Sequence, residues 1–490
     1  MTEPARLPVI LGVGQIVDRP ADPAEGLDAL QLMAAAIDRA DTDAGGGLIA
    51  RCDWLAIVPQ LSFPDIDPLT QLPAALGIAP THVEQAGMAS GDTPVRYLND
   101  AANAIATGEA TVAIIVGGEA LRTAAMRPEG TGKWPSSSMG SAAFRNASEH
   151  RRKYGLVNPA EIYPLYENAT RAAWGQTLTE GQAESARIWS LMADVAQGSE
   201  AAWIRKPVSA AEIAEPSASN RMIAFPYTKL MVANASVNQG AALIVTSLAT
   251  AKELGFSSQA IFIGGGAAAH EPEDALDRAR WDRSPGMEVS LTRALAVNGL
   301  TSTNLDHVEL YSCFPNVPKM ARRVIGWSAD RPVTVHGGLT FGGGPVGNYM
   351  THAAAQMVKA LRAGGGHGLL FGNGGYCTHN HSIVLSVTPP PTGTFPQDYL
   401  FQAEADAARG PTPPLSDTIE GPARLETYTV IYGRDGPNYG VVMARTPADE
   451  RVVARVDAEE IDFLTSGRVE PVGTAGITER RGDMLHWRRA

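Results

Sequence analysis

The sequence predicts an α/β protein made of two similar halves, followed by a small antiparallel β-barrel. Three observations predict it. Short apolar runs alternate with amphipathic helical patterns in two separate segments, which indicates α/β layering. Both segments contain a turn that opens a helix with proline near its first position, then a strand that stops at glycine, so one echoes the other. From about residue 422, β-type runs separated by turn residues take over. With 490 residues, 44 % of them apolar, the chain is long enough for more than one core.

The first segment opens with a strand-like run, Leu7 to Val13, and a helical pattern across Leu27 to Ala40. Another apolar run, Leu55 to Val58, leads to a short helix near Pro68 to Leu76. Ser90-Gly91-Asp92-Thr93-Pro94-Val95 then opens a helix over Pro94 to Ala106, and the strand Val112 to Val116 stops at Gly117-Gly118. Residues from about 120 to 230 break the rhythm. They hold Ser136-Ser137-Ser138, several Tyr and Trp, and helix-like stretches around Pro164 to Gln176 and Gln182 to Gln197. This is an insertion over the core, either a functional lid or a structural excursion.

The rhythm resumes at Ala260 to Gly264 and runs to about Val387. Within it, Gly342-Gly343-Gly344-Pro345-Val346 opens a helix ending near Gly364, whose strand stops at Gly372. Pro389-Pro390-Pro391 and a proline-rich stretch through Pro414 mark a boundary. Leu425 to Tyr432, Tyr439 to Ala444 and Arg451 to Val456, with turns such as Asp435-Gly436, form the barrel.

Forty basic against 52 acidic side chains give a net charge of −12, which disfavours a nucleic-acid partner. Cys52, Cys313 and Cys377 are too few and too scattered for a disulfide framework, and no Cys-x-x-Cys pair is present. Neither a signal peptide nor a long uninterrupted apolar stretch is found, so a reducing cytoplasm and no membrane partner are expected.

From Arg331 through Gln397 there is no Asp or Glu, where the chain average would place about seven. The same stretch holds five of the ten histidines, His336, His352, His367, His379 and His381, with Arg331, Lys359, Arg362 and Cys377. It reads either as a zone that tolerates an anionic ligand or as a buried core that excludes carboxylates. Gly342, Gly344 and Gly347 fit Gly-x-Gly-x-x-Gly, but no acidic ribose partner follows before Asp398, so a dinucleotide site is rejected. The turn still offers amides at a helix start, an oxyanion or phosphate cradle. His379 and His381 share one face of a strand just after Cys377. Zinc would need further ligands and the local carboxylates are missing, so no metal is expected. A Cys/His pair beside a glycine-rich turn permits thiolate activation or acid–base work; an inert packed cysteine is the competing reading.

Several motifs, in order, resemble the thiolase superfamily, particularly the sterol-carrier-type thiolases and thiolase-like proteins, over residues 5 to 388. Gly117-Gly118-Glu119 is similar to the family's Gly-Gly-x-Glu region. Asn234-Ala235-Ser236 with Asn238-Gln239-Gly240-Ala241-Ala242 resembles its Asn-Ser-Ser…Asp-Gly-Ala-Ala stretch. Tyr311-Ser312-Cys313-Phe314 stands where sterol-carrier-type thiolases have His-Asp-Cys-Phe. Gly337-Gly338 and then Gly343-Gly344-Pro345-Val346-Gly347 resembles Gly-Gly-x4-Gly-His-Pro-x-Gly. The resemblance implies a five-layered α-β-α-β-α core of two similar halves, coenzyme A as cosubstrate, an acyl-CoA or β-keto acid substrate and a homodimer. The final barrel resembles the oligonucleotide/oligosaccharide-binding (OB) folds associated with thiolase-like proteins. The organisation expected is residues 1–119 with 231–255 as the N-terminal half and 120–230 as an insertion. Residues 256–390 form the C-terminal half, 391–421 a linker and 422–490 the barrel.

This sequence departs from the family pattern where the chemistry is carried. In Gly87-Met88-Ala89-Ser90-Gly91 the nucleophilic cysteine is replaced by Met88, and a thioether cannot form an acyl-enzyme. Gly344 replaces the activating histidine and Tyr311 the residue opening the third loop; Cys313 stands at the acid/base cysteine. The first expectation is therefore an acyltransferase-like enzyme of lipid or aromatic acid metabolism, acting on a carbon–carbon bond of a β-keto acyl thioester without the usual nucleophile. Cys313, His379, His381 and Tyr311 would be catalytic, with Ser90, Gly343, Gly344, Gly374 and Gly375 lining the loops and Cys377, Asn348 and His336 behind them. The alternatives are a non-catalytic acyl-CoA-binding protein, and a retro-aldol lyase in which Tyr311, Tyr349 or Tyr376 moves the proton.

Overall fold

In the computed structural model, which describes residues 4–131 and 147–490, the strand β1 (Pro8–Val17) is buried over nearly its whole length. Both of its faces are covered, which is why its apolar residues run on without alternation. The helix α1 (Ala29–Asp43) starts from a capping box between Asp28 and Gln31 and lays Leu32, Met33, Ala36 and Ile37 on the sheet. Gly12 and Gly14 allow this approach, since a Cβ at either would collide with α1 backbone. The half is completed by β2 (Trp54–Ile57), β3 (His82–Gln85), α2 (Thr93–Thr107) and β4 (Val112–Ala120). After an insertion containing α3 (Pro159–Ala173) and α4 (Leu178–Gln197), β5 (Asn238–Ser247) returns to the same sheet. The triple-serine motif at 136–138 lies outside the described residues.

The second half contains β6 (Ile261–His270), α5 (Pro285–Val297), β7 (His307–Leu310) and α6 (Asn316–Ile325). It ends with α7 (Tyr349–Gly364), β8 (His367–Gly374) and β9 (His379–Ser386). The strand order is β3-β2-β4-β5-β1-β6-β9-β8-β7. Reading outward from the centre, β1-β5-β4-β2 and β6-β9-β8-β7 repeat one pattern: two antiparallel pairings, then a parallel one. The halves meet in a short antiparallel ladder, Val9 with Phe262 and Ile10 with Ile261. The internal echo is thus a duplication. Helices α2 and α7 lie between the two half-sheets, α1 covers the first from outside, and α5 and α6 cover the second. This is the five-layered α-β-α-β-α core.

Two helices of the insertion begin earlier than their apolar pattern suggests. Pro159 occupies the first turn of α3 while Glu161 accepts from the Asn158 amide at 2.6 Å, and Pro164 is carried inside the helix. Thr177 and Glu180 form a capping box that starts α4 at Leu178.

The C-terminal region is a closed five-stranded barrel of β10 (Gly421–Tyr432), β11 (Pro437–Arg445), β12 (Arg451–Val456), β13 (Ala475–Arg481) and β14 (Met484–Arg489). Its ring runs β10-β11-β12-β14-β13 and back to β10. The barrel packs on the insertion: Ala224 and Phe225 pair with Ile431 and Val430, and Asn168 of α3 donates to the Tyr428 carbonyl at 2.9 Å. Arg451, fully buried, pairs with Glu426 and donates to the carbonyl of Leu276 at 3.1 Å, so the barrel is also fastened to the second half. The proline-rich stretch is no free spacer, because Ala268 of β6 donates to Tyr399 at 2.7 Å and accepts from Phe401 at 2.9 Å.

Candidate active site

Four loops meet at the N-terminal end of α2. Residues 88–92 precede the helix; β7 delivers Tyr311 to Phe314; residues 337–348 lead into α7; and residues 372–378 join β8 to β9. Glycines let them touch. A Cβ at Gly91 would collide with the Tyr311 hydroxyl and the Asn373 carbonyl, and one at Gly374 with the side chains of Ser90 and Asp92. Gly372 faces the Asp92 backbone and Gly347 faces that of Ser90. The structure therefore brings together Ser90, Tyr311, Cys313, Gly374 and Gly375, and adds Asp92, whose carboxylate accepts from Ser90 Oγ.

Tyr163 of the insertion enters the same crossing. Its hydroxyl donates to the Gly375 carbonyl at 3.1 Å and accepts from the Cys377 amide at 3.3 Å, and it lies near the Cys313 thiol. Its ring stacks on Phe314, centroids 4.5 Å apart. Burial pushes the Cys313 thiol up to about 12, and the hydroxyls of Tyr163 and Tyr311 well above their ordinary value. Cys377 is buried, at a positive φ of 58°, with its thiol raised by burial as well. At neutral pH all four groups carry their protons. They can donate hydrogen bonds or a proton, and none is an activated nucleophile.

The histidines are placed elsewhere. Both lie on β9, but His381 is buried against Asn99 (2.7 Å) and Tyr399, and burial lowers it to about 3. His379 sits beside His270 and 3.6 Å from Glu273, partly exposed. His336 is fully buried against His352 and Tyr349, and Asn348 is buried over Gly117. Gly344 has already given its amide to the Asn234 carbonyl at 2.9 Å, and Gly343 (φ 104°) lies against Gln239. The turn at 343–344 is thus fastened to the preceding strand region, with the Gly344 amide withdrawn from any oxyanion. Met88 is 55 % exposed at the rim of the crossing.

The carboxylate-free stretch gathers little positive charge. Arg362 pairs with Asp43, Lys359 donates to Gln15, and Arg331 donates to the carbonyls of Leu305 and Asp306, while three of its five histidines are buried. The buried-core reading fits this packing. Among the described residues, no group of three or more His, Cys, Asp or Glu could hold a metal ion, and no helix is long and apolar enough to cross a membrane. Tyr163 and Asp92 are the residues the sequence reading missed. Signals for both existed: two tyrosines three apart on an inserted helix, and an acid directly before a helix start in Ser-Gly-Asp-Thr-Pro.

A crystal structure of a monomeric SCP2-thiolase-like protein type 1 from Mycobacterium smegmatis matches over 99 % of this chain and 100 % of its own, with a TM-score of 0.84 and 27 % identity. The chain has the thiolase superfamily fold. Residues 402–482 match the thiolase-like protein type 1 additional C-terminal domain. The thiolase fold is shared with human mitochondrial 3-ketoacyl-CoA thiolase in complex with CoA, at TM-score 0.56 and 14 % identity, covering 78 % of this chain and 99 % of that one. An Ltp2-ChsH2(DUF35) aldolase has the same fold at TM-score 0.61 and 19 % identity, covering 78 % and 98 %. Acetyl-CoA acetyltransferase of Schizosaccharomyces pombe is 35 % identical over 131 residues, 26 % of this chain; the match spans 31 % of that relative's length. The mycobacterial thiolase-like protein is described as monomeric, so the homodimer that thiolase resemblance implies gains no support.

Proposed function

We propose that this thiolase-like chain acts on a β-keto acyl thioester of coenzyme A, making or cleaving the carbon–carbon bond next to the carbonyl without an acyl-enzyme. The observation that carries this reading is the set of protonated donors at the loop crossing, Cys313, Tyr163 and Tyr311, beside a Met88 that cannot be acylated. A thioester carbonyl is an acceptor, so the donor set suits its oxygen and the enolate that forms from it. In the cleaving direction free coenzyme A is the acyl acceptor: Asp92, reached through Ser90, takes the proton of its thiol, its sulfur adds to the β-carbonyl held by Tyr163 and Tyr311, and the bond to the α-carbon breaks. The acyl group leaves as a new thioester, Cys313 protonates the departing enolate, and the proton on Asp92 restores the Cys313 thiol. His379 and His381 stay outside this scheme. The ring order of the C-terminal barrel, with one helix (Ala458–Thr465) between its third and fourth strands, supports an OB-type assignment, and we read its role as holding the insertion over the site. Three unpaired cysteines support a reducing cytoplasm.

The test incubates the full chain with a panel of β-keto acyl-CoA esters and free coenzyme A and follows products and intact protein mass together. Turnover with no acyl adduct is expected, and Cys313→Ala should lower kcat/KM about 10²-fold or more, the usual contribution of a general acid. A covalent adduct, or full activity in Cys313→Ala, would overturn it. A second reading, a binding protein without turnover, is favoured by the withdrawal of His336, His352 and His381 into the core; saturable binding of the esters with no product would establish it. Release of an aldehyde or ketone in place of a thioester would identify a lyase.

A further inference from the structure

Beneath the glycine-rich turn, seven buried polar atoms have no partner in the protein. They are Oε1 of Gln239, both ring nitrogens of His336, both amide atoms of Asn348, Oγ1 of Thr351 and Nε2 of His352. None of the five residues is more than 2 % exposed. They share one region. His336 and Gln239 adjoin Gly342 and Gly343, and the His336 ring stacks on His352, centroids 5.4 Å apart. Asn348, Thr351 and His352 lie three and four residues apart at the start of α7 and so share a face.

Asn348 lacks partners at both amide atoms and His336 at both nitrogens, and moving the proton from one His336 nitrogen to the other leaves both unpartnered. Gln15 Oε1 accepts from Gln356 at 2.7 Å and Lys359 at 3.1 Å, which fixes its Nε2 as the donor to His352 Nδ1 and leaves the proton on His352 Nε2. Gln239 Nε2 donates to the carbonyls of Ala201 and Gly342, so its Oε1 needs a donor. Whatever meets these atoms must therefore both donate and accept. A halide has no proton for Gln239, and a metal cation cannot accept from the His352 N–H.

We propose that this region is an internal hydration site, in which ordered waters bridge Gln239, His336, Asn348, Thr351 and His352 and support the glycine-rich turn from below. At about three hydrogen bonds per buried water, seven atoms call for about two or three waters. The inference is independent of the catalytic reading above.

Two measurements on the full chain test it. A high-resolution crystal structure should place density within about 2.7–3.2 Å of the His336 nitrogens and the Asn348 amide. Magnetic relaxation dispersion of water should register long-lived internal waters, with a signal that falls in Thr351→Val, a change of similar volume that removes one partner. Direct pairing of His336 and Asn348 with other protein groups, empty density, or an anomalous peak there after a bromide soak would each overturn it. An unchanged relaxation signal in Thr351→Val, with the variant folded, would do the same.

Discussion

Lys319 of α6 and Glu167 of α3 form an ion pair in which neither side chain is more than 1 % exposed. It is the charged link between the second half and the helix that carries Tyr163. Lys319 also donates to the Gly181 carbonyl at 3.2 Å and Ser185 Oγ at 3.3 Å, while Glu167 accepts from the Tyr227 hydroxyl at 3.0 Å. Lys319→Met would keep the length of the side chain and leave Glu167 as a buried charge with only Tyr227 to meet it. Breaking a buried pair in this way costs about 3–5 kcal/mol. Replacing both partners, as Glu167→Leu with Lys319→Met, removes the unpaired charge. What remains is mainly the lost hydrogen bonds from Lys319 to Gly181 and Ser185, about 1–3 kcal/mol, since the Gly181 carbonyl still accepts from Ser185 Oγ at 3.0 Å. The double variant should therefore regain about 2 kcal/mol over the single one, a coupling that a double-mutant cycle measures directly. Urea unfolding followed by tryptophan fluorescence suits the region, because Trp174 lies against Arg323 at 3.6 Å and near Lys319 at 5.9 Å. A single-variant loss below about 1 kcal/mol, or a double variant no better than the single, would refute the claim that this pair holds α3 in place.

Four further outcomes are expected. With its thiol near 12, Cys313 should react with a disulfide reagent at pH 7.5 about three orders of magnitude more slowly than a free cysteine, as should Cys52, also pushed up to about 12, whereas Met88→Cys should add one site labelled at ordinary speed. Fast labelling of the unmodified chain would contradict this assignment. Burial raises Glu309, which accepts from the Tyr349 hydroxyl at 2.7 Å, from 4.5 to about 7, so the folded chain binds the extra proton between these values. Its contribution to stability is present below about 4.5 and is lost as pH rises to about 7. Glu309→Gln should shrink the stability difference between pH 5 and 7.5 by about 2–3 kcal/mol, read by urea titration at each pH. His381 runs the other way: held down to about 3 from 6.5, it makes the fold lose stability as pH falls through that window, so its replacement by Gln should soften acid unfolding followed by circular dichroism. Tyr163→Phe, which deletes the hydroxyl shared by Gly375 and Cys377, should lower turnover about 10-fold or more while shifting stability by about 1 kcal/mol.

The repeated core was legible in the sequence because its signals are local. Proline at a helix start and a glycine after the next strand are fixed by backbone geometry, so they recur wherever the supersecondary unit recurs. Gly91, Gly347 and Gly372 were equally readable as positions where another backbone must come close. What comes close was not readable, since partners such as Tyr311 and Asp92 depend on the assembled loops. The histidines illustrate the same limit. Alternation placed His379 and His381 on one strand face, yet period alone cannot say that Asn99 and Tyr399 cover one of them. The contact between barrel and insertion is beyond pattern reading too, because the stretch between β4 and β5 carries no trace of a two-residue pairing between Ala224–Phe225 and β10.

The charge at the start of α2 bears most directly on chemistry. In a thiolase the resemblance assigns that helix dipole to a cysteine thiolate. Here the position holds Met88, and the helix start carries its own carboxylate, Asp92, hydrogen-bonded to Ser90 and packed on Gly374. An anion already meets the positive end of the helix. A second negative charge formed on substrate at the same place would be opposed by Asp92. On the reading proposed above, stabilisation of an enolate would then come from the neutral donors Tyr163, Tyr311 and Cys313, which remain protonated. The glycines at all four contacts keep this geometry close-packed although the nucleophile is gone. On the proposed reading, Met88 at the position the resemblance gives to cysteine and Tyr311 at the opening of the third loop belong to one electrostatic rearrangement, which would move the polar work of the site from a helix dipole to neutral hydroxyl and thiol donors.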